Sequence, residues 1–325
     1  MSDGSRDIDI LVVGEINPDI IVADPDPVPI FGEVERVVDS IRMTVGSSSA
    51  IFACGAARLD LRVAFAGVVG DDPFGRFMLE AMAARGVDVS ACTVDPSRPT
   101  GATVILTNSR DRAMLTAMGT IGALDVEGLA LSTLERARHV HLGAYFLQAG
   151  NRASLAPFFA GARARGLTTS FDTNWDPSVR WDDGGVDMLR ACDVFLPNEA
   201  EACRIARRAD VEEAAQELVR IGGVGRSDGG PIVAVKLGSS GALAVGPGQP
   251  LIRVPAMPVQ PLDTTGAGDS FNAGFLCAWL DGGSIEQALR LGAVCGALST
   301  RALGGVDAQP TLAQATEALR HWAAS

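Results

Sequence analysis

No apolar run in the 325 residues approaches the roughly 18 positions that a membrane-spanning helix needs. No basic segment precedes an apolar one at the start either: residues 1–9 are polar and acidic, and the apolar run at 10–13 is short. A signal peptide or a membrane span is therefore not expected, and a cytoplasmic location is. Basic residues are scarce, 27 Lys and Arg against 39 Asp and Glu, for a net charge of −12. That balance argues against a nucleic-acid partner or an anionic membrane surface. Only three histidines are present (His139, His141, His321), and the six cysteines (Cys54, Cys92, Cys192, Cys203, Cys277, Cys295) include no close pair. A zinc site or a disulfide framework is thus not expected, and the thiols read as free groups in a reducing compartment. A Gly-x-x-x-x-Gly-Lys-Ser/Thr loop is also missing, which excludes a P-loop nucleotide site.

What is there is 47% apolar and 20% charged, enough for a large core, and the length suits one α/β domain with an inserted subdomain. Residues 8–14 read as a buried strand ending at Gly14. Asn17 and Asp19 follow on the loop at its carboxyl end, the edge where open α/β sheets bind ligands. Read plainly, Asn17-Pro18-Asp19 is a turn. Residues 34–43 and 100–116 alternate β-branched residues without a helical period, with Asn108-Ser109-Arg110-Asp111 as a turn, which is hairpin chemistry. Gly46 and three serines, Ser47 to Ser49, lead into a small-residue helix that a serine can cap. A strand at 63–69 runs into Gly70-Asp71-Asp72-Pro73, better read as a helix cap with proline in the first turn than as a metal pair.

From Leu131 onward helix and strand alternate. His139 and His141 lie at alternate strand positions with no carboxylate or cysteine set around them, and read as satisfied polar residues. Asp172 and Asn174 follow the strand at 167–171. Asn198 and Glu201 follow the next strand with the spacing of a capping box. Residues 232–242 form a strand, a glycine turn and a second strand. Gly238 and Gly241 there let the backbone approach a nucleotide, and Lys236 reaches a phosphate or is simply solvated. Amphipathic helices at 284–299 and 311–323 close the chain.

The most informative stretch is Asp263-Thr264-Thr265-Gly266-Ala267-Gly268-Asp269-Ser270-Phe271-Asn272-Ala273-Gly274-Phe275. Gly266, Ala267 and Gly268 carry almost no side chain, so their N–H groups can converge on one point where a helix begins. Free N–H groups and the positive dipole end attract an anion there. Asp269 falls in the same first turn. On its own such an aspartate is no more than a favourable helix-start residue.

The whole run closely resembles the C-terminal signature of the ribokinase, or phosphofructokinase B (pfkB), family of sugar and nucleoside kinases, and the resemblance extends over about residues 8–305. It implies a three-layer α/β/α fold with a mostly parallel sheet. One domain would span 1–325, with residues 17–45 and 99–122 inserted as a small β-sheet lid. It implies ATP- and magnesium-dependent phosphoryl transfer to a hydroxyl, expected to be primary, of a sugar or polyol. By the resemblance, Asp269 takes the hydroxyl proton and Gly266, Ala267 and Gly268 hold the transferring phosphate. Asn17, Asp19, Gly46, Ser47, Asp172 and Asn174 line the acceptor site. Asn198, Glu201, Lys236, Gly238 and Gly241 hold ATP, with Glu201 ordering magnesium through water. Asp263 and Thr265, with carbonyls of the loop at 300–305, hold a monovalent cation, expected to be potassium. Lids paired edge to edge would make a homodimer.

Three positions depart from the family pattern. Ser47 stands at the second glycine of a Gly-Gly pair, Ile51 stands where an asparagine is expected, and Asp176 replaces an arginine. The last argues against an aldonic-acid acceptor, with Trp175 or Trp181 offering an apolar wall instead. Two other readings stay open. A nucleoside kinase of the same fold needs an aromatic clamp from the lid, where only Phe31 is available. A non-catalytic sugar-binding regulator is disfavoured by the intact Asp269 and Gly268.

Overall fold

The strand Ile8–Val13 is buried along its whole length. Leu11 and Val13 enter one hydrophobic core while Ile10 and Val12 enter another. A strand with no wet face belongs in the middle of a sheet covered on both sides. In the computed structural model, which describes residues 6–108, 112–181 and 184–323, that is where it lies. The main sheet has nine strands among the described residues, in the order Ile252–Val254, Ala242–Val245, Ile232–Lys236, Val194–Phe195, Thr168–Phe171, Ala137–Leu142, Ile8–Val13, Val63–Ala66 and Val87–Asp88. All neighbours pair in parallel except the first two junctions, which are antiparallel.

Helices Arg152–Ala164, Glu199–Ala206 and Val211–Gly222 cover one face through Leu155, Phe159, Ala202 and Leu218. Helices Ser48–Arg58, Pro73–Ala83, Ala267–Leu280, Ile285–Ser299 and Leu312–Ala323 cover the other through Phe52, Met78, Phe275, Leu289 and Ala315. The result is the three-layer arrangement expected for alternating strands and helices. Among the described residues no helix is long and apolar enough to cross a membrane, and all six cysteines are free.

A second sheet of four strands, in the order Ser40–Val45, Pro18–Ala23, Ala102–Thr107 and Arg112–Ala117, is built from both inserted segments. Two expectations change here. Asp19 lies within the strand Pro18–Ala23, paired with Thr44 and Thr103, and not on a loop. Strand structure does not run through residues 34–43 but begins at Ser40, where the ladder with Ala23 starts. Beyond Ala23 the chain runs through Pro25, Pro27 and Pro29, which have no N–H to extend a ladder. Ser109, Arg110 and Asp111 of the expected hairpin turn lie outside the described residues. The expected strand at 63–69 is likewise split at Gly67, where a Cβ would come within 2.7 Å of the Gly14 carbonyl.

The outer strand Arg112–Ala117 is exposed at every residue. Phe31 and Val37 are 96% and 88% exposed, and Ile41, Met114 and Leu115 are exposed with them. An apolar surface of this kind marks an interface more often than a solvated face.

Candidate active site

The parallel strands deliver polar residues to their carboxyl ends. Glu15 and Asn17 follow Val13, Asp172 and Asn174 follow Phe171, Asn198 follows the strand ending at Phe195, and Lys236 ends its own strand. The helix Ala267–Leu280 brings its N-terminus to the same edge. Gly266 caps it at φ 70 and no side chain satisfies its first turn. By contrast, the helices beginning at Ser48, Pro73, Glu199, Val211 and Ile285 all have side-chain caps. A Cβ on Gly266 would lie 2.8 Å from both Gly305 Cα and Ile51 Cγ2, so only glycine fits. One of the three expected anion-binding N–H groups, that of Ala267, is partly diverted, donating to the Thr264 carbonyl over 3.3 Å.

Asp269 and Asp19 share an unusual property. Both are ringed by protein, yet neither carboxyl accepts a hydrogen bond from any described residue. Burial, and then the neighbouring Asp172, push the Asp269 carboxyl well above the ordinary carboxylate range, with Glu15 and Asp19 adding and Lys236 opposing. The group still has an opening to the cleft, so water screens part of this effect. Burial raises Asp19 to about 7, while Arg112 pulls it down and Asp263 and Glu15 push it up. Asp19 lies hard against Gly46, where a Cβ would fall 2.2 Å from its Oδ1. Asn17 is buried beside it and reaches Thr103 Oγ1 at the hydrogen-bond limit of 3.5 Å.

Lys236 is the only lysine among the 27 basic residues of the chain. Its ammonium is 2.5 Å from Asp172 Oδ2 and 3.3 Å from Asn272 Oδ1, and the Asn272 amide donates to the same Asp172 oxygen over 2.6 Å. The Lys236 side chain runs beside Gly268, so these three residues tie two strand ends to the helix Ala267–Leu280 below the glycine loop. Next to them Asn198 and Glu201 form the expected capping box, and Thr173 Oγ1 donates to Glu201 over 3.2 Å. Burial, reinforced by Asp172, pushes Glu201 up to about 7.

Several further residues have structural roles. Gly241 answers to the fold itself, because a Cβ there would meet the Val254 carbonyl at 2.1 Å, whereas Gly238 faces open space. Asn174 sits at φ 55 with its Oδ1 buried and unpartnered, a combination that points to a ligand. Asp176 is not a substitute ligand: it is buried and accepts the N–H groups of Ser178, Arg180 and Trp181 as a loop staple. Trp181 is buried against Phe146 and Trp175, leaving Trp175 the more exposed of the pair. Ile51 points under the glycine loop, against Gly266 and Gly305, and contributes packing where an amide was expected. His139 bonds Thr168 and Ser170 and is satisfied as expected, whereas His141 bonds Ser170 through Nδ1 and its buried Nε2 has no partner among the described residues; burial lowers the pKa of both.

Asp263 gathers the loop ahead of the helix. Its Oδ1 accepts from the N–H and hydroxyl of Thr265 and its Oδ2 from the Gly304 N–H. Arg112, the first residue of the outer strand of the small sheet, donates to Thr265 Oγ1 over 2.9 Å. Among the described residues no group of three or more His, Cys, Asp or Glu is arranged to hold a metal ion on its own. Sequence reasoning assigned no part to Glu15, Asn272 or Arg112. Asn272 lies inside the signature, but nothing local signals its partners.

The family model for pfkB family carbohydrate kinases matches residues 7–312. Similar proteins include the ATP-dependent ribose-1-phosphate kinase of Halopiger xanaduensis, 31% identical over 93% of this chain and 95% of that one. The 2-dehydro-3-deoxygluconokinase of Thermoproteus tenax is 30% identical over 88% of each chain. Among solved structures, Arabidopsis thaliana ribokinase complexed with ribose and ATP superposes with a TM-score of 0.79 at 24% identity, over 96% of this chain and 99% of that one. An E. coli protein assigned as a ribokinase II, in complex with ATP and Mg2+, gives 0.83 at 22% identity over 97% and 99%. Matches of this reach, in family model and relatives alike, place the sequence: the chain belongs to the pfkB family of carbohydrate kinases.

Proposed function

We propose that the chain transfers the γ-phosphoryl group of ATP to a hydroxyl, expected to be primary, of a sugar or polyol bound between the two sheets. The observation that carries this is the pair of unpartnered carboxyls at Asp19 and Asp269, one on the small sheet and one at the glycine loop. Asp19, with Asn17 and the free Asn174 Oδ1, accepts hydrogen bonds from acceptor hydroxyls, with Gly46 and Ser47 as the wall. Asp269 takes the proton of the attacking hydroxyl, whose oxygen bonds to the γ-phosphorus as the bond to ADP breaks. Its raised pKa brings it closer to that task at neutral pH. The uncapped helix start at Gly266–Gly268 stabilises the charge on the transferring group, work that is mostly positioning and electrostatics.

ATP lies along Asn198, Lys236 and the turn at Gly238, and the ribokinase II complex with ATP and Mg2+ supports that cofactor pair here. Glu201, pushed up to about 7 in a site crowded with negative charge, fits a role in holding the water shell of magnesium, which supplies charge neutralisation of the phosphates. Asp263 takes three N–H or O–H donors and no cationic side chain among the described residues, so its charge fits a potassium ion beside Thr265 and the 300–305 loop. The small sheet acts as the lid, and its exposed apolar face fits a homodimer. Six free cysteines suit a cytoplasmic protein.

Incubation with ATP and a panel of sugars, polyols, sugar phosphates and nucleosides, read by ADP release, tests the reading. Strong release with a neutral sugar or polyol is the expected result. Release confined to nucleosides would overturn the acceptor class, and no release above the ATP-only rate would overturn the reaction.

A further inference from the structure

Glu15 touches neither the acceptor nor ATP in the scheme above, although its charge bears on Asp19 and Asp269, and it is only 2% exposed. Four polar neighbours occupy its carboxyl. Oε1 lies 3.1 Å from the Ser49 N–H nitrogen and 2.9 Å from the Ser47 hydroxyl, and Oε2 lies 2.7 Å from the Ser49 hydroxyl and 3.3 Å from the Gln148 amide. A carboxylate offers about four lone-pair sites; the Ser49 N–H, the Ser49 hydroxyl and the Gln148 amide take three of them, and the single Ser47 hydroxyl proton is shared between Oε1 and the Glu15 carbonyl, so this buried group is committed to the protein. Ser49 occupies a notch that exists only because two neighbours are glycine. A Cβ on Gly14 or Gly143 would fall 2.1 or 2.6 Å from its Oγ. The ends of two adjacent parallel strands and the start of the helix Ser48–Arg58 are thus stitched through one buried carboxyl.

Ser47 shows what the stitching holds. Its backbone lies at φ 68 and ψ 125, a region that L side chains rarely adopt. Glycine would take that conformation without strain. The serine is caught on three sides instead: its Oγ is 2.6 Å from the Glu15 carbonyl, 2.9 Å from Glu15 Oε1, and accepts the Ala50 N–H over 3.2 Å. The preceding residue, Gly46, is the one pressed against the Asp19 carboxyl. Released from Glu15, Ser47 would relax toward negative φ and carry Gly46 with it.

We propose that Glu15 is a positioning residue for the acceptor, clamping Ser47 in a backbone conformation otherwise reserved for glycine and so fixing the Gly46 wall against Asp19. The effect on the acceptor rests on the kinase reading. The clamp rests on the local geometry alone.

Two double-mutant comparisons test it. Thermal melts of the whole chain, with no substrate present, compare Glu15→Gln in the natural background and in Ser47→Gly. The clamp predicts that the loss in Tm on Glu15→Gln is at most about half as large when residue 47 is glycine, since coupled positions are non-additive. An equal loss in both backgrounds overturns it. Ser47→Ala against Ser47→Gly asks the same question without touching the buried carboxyl. Alanine keeps the strain and loses the hydroxyl, so it should melt lower than glycine, and the reverse order overturns the clamp. With D-ribose, D-fructose and ribose 1-phosphate as probes, Glu15→Gln should raise the acceptor KM roughly tenfold or more while kcat and the ATP KM stay within about threefold. In Ser47→Gly the same change should move the acceptor KM less than about threefold. A joint rise of acceptor and ATP KM would mean general loss of structure and overturn the positioning role. A wild-type chain that phosphorylates no acceptor fails the kinase reading, and the melts then still decide the clamp.

Discussion

Replacing Asp269 by asparagine should damage chemistry and spare, or even favour, the fold. The side chains are nearly the same size, so the loop at Gly266–Gly268 keeps its shape, but an amide cannot take the hydroxyl proton. Loss of a general base costs about 10²- to 10⁴-fold in rate, or roughly 3–5 kcal/mol of transition-state stabilisation. Two opposing terms set the stability. As the third residue of the helix Ala267–Leu280, the carboxylate gains about 0.3–1 kcal/mol from the helix dipole, which asparagine forfeits. Against this, burial and the charges of Asp172, Glu15 and Asp19 disfavour the ionised form, and Lys236 offsets them only partly because its ammonium is committed to Asp172. A carboxyl whose pKa is raised by folding binds its proton more tightly in the folded state. Stability therefore falls as pH climbs from the ordinary carboxylate range through the raised value. Above that window the asparagine variant escapes the penalty. Discounted for the opening to the cleft, the net gain is expected at about 1 kcal/mol or less, roughly 2 °C in a chain of this size. Single-turnover phosphorylation and melts at pH 5 and pH 8 read both sides. Turnover within about tenfold of wild type would refute the base assignment. A drop in Tm at pH 8 beyond the helix-dipole share would refute the electrostatic account.

Gly266→Ala places a Cβ 2.8 Å from Gly305 Cα at a residue with φ 70, so kcat should fall by about 100-fold or more with the circular dichroism unchanged; near-normal turnover would show that the loop need not be held so closely. Asp19, raised to about 7, accepts hydrogen bonds from the acceptor hydroxyls through both oxygens only when ionised, so the acceptor KM should climb as pH falls through about 7, and Asp19→Asn should flatten that dependence. A slope that persists in the variant would point to a different group. Exchanging potassium for tetramethylammonium at constant ionic strength should lower turnover through the Asp263 loop, and equal rates in both salts would remove the cation from the scheme. Light scattering should find a dimer that Ile41→Asp with Leu115→Asp converts to a monomer, and a monomeric wild type would leave the apolar face of the small sheet unexplained.

The layered fold was legible because strands such as Ile8–Val13 are apolar on both faces and helices alternate with them from Leu131 onward. The glycine loop and Asp269 were legible because thirteen consecutive residues carry their own chemistry. What escaped depends on distance along the chain. Lys236 meets Asp172 across 64 positions and Asn272 meets it across 100, and no local pattern announces either pairing. Glu15 carries no signal of its own in the sequence, and its burial is visible only once Ser47, Ser49 and Gln148 converge on it. The first two residues of the strand Pro18–Ala23 read as part of a turn because Asn17-Pro18-Asp19 has turn composition. Its strand character comes from partners at Ser40–Val45 and Ala102–Thr107. Gly241 read as an opening for nucleotide, and nothing local announced that the neighbouring strand also needs its bareness.

The solitary lysine has a practical side. With arginine at every other basic position, Lys236 is the only side-chain amine in the protein, and it is shielded by an ion pair at the floor of the cleft. Reagents that acylate amines, which ordinarily scatter label over a protein surface, find no lysine there to react with. Label arriving at residue 236 therefore counts the moments when the cleft is open and Asp172 has let go. An amine-reactive probe becomes a clock for that opening, readable by mass spectrometry on the unaltered sequence.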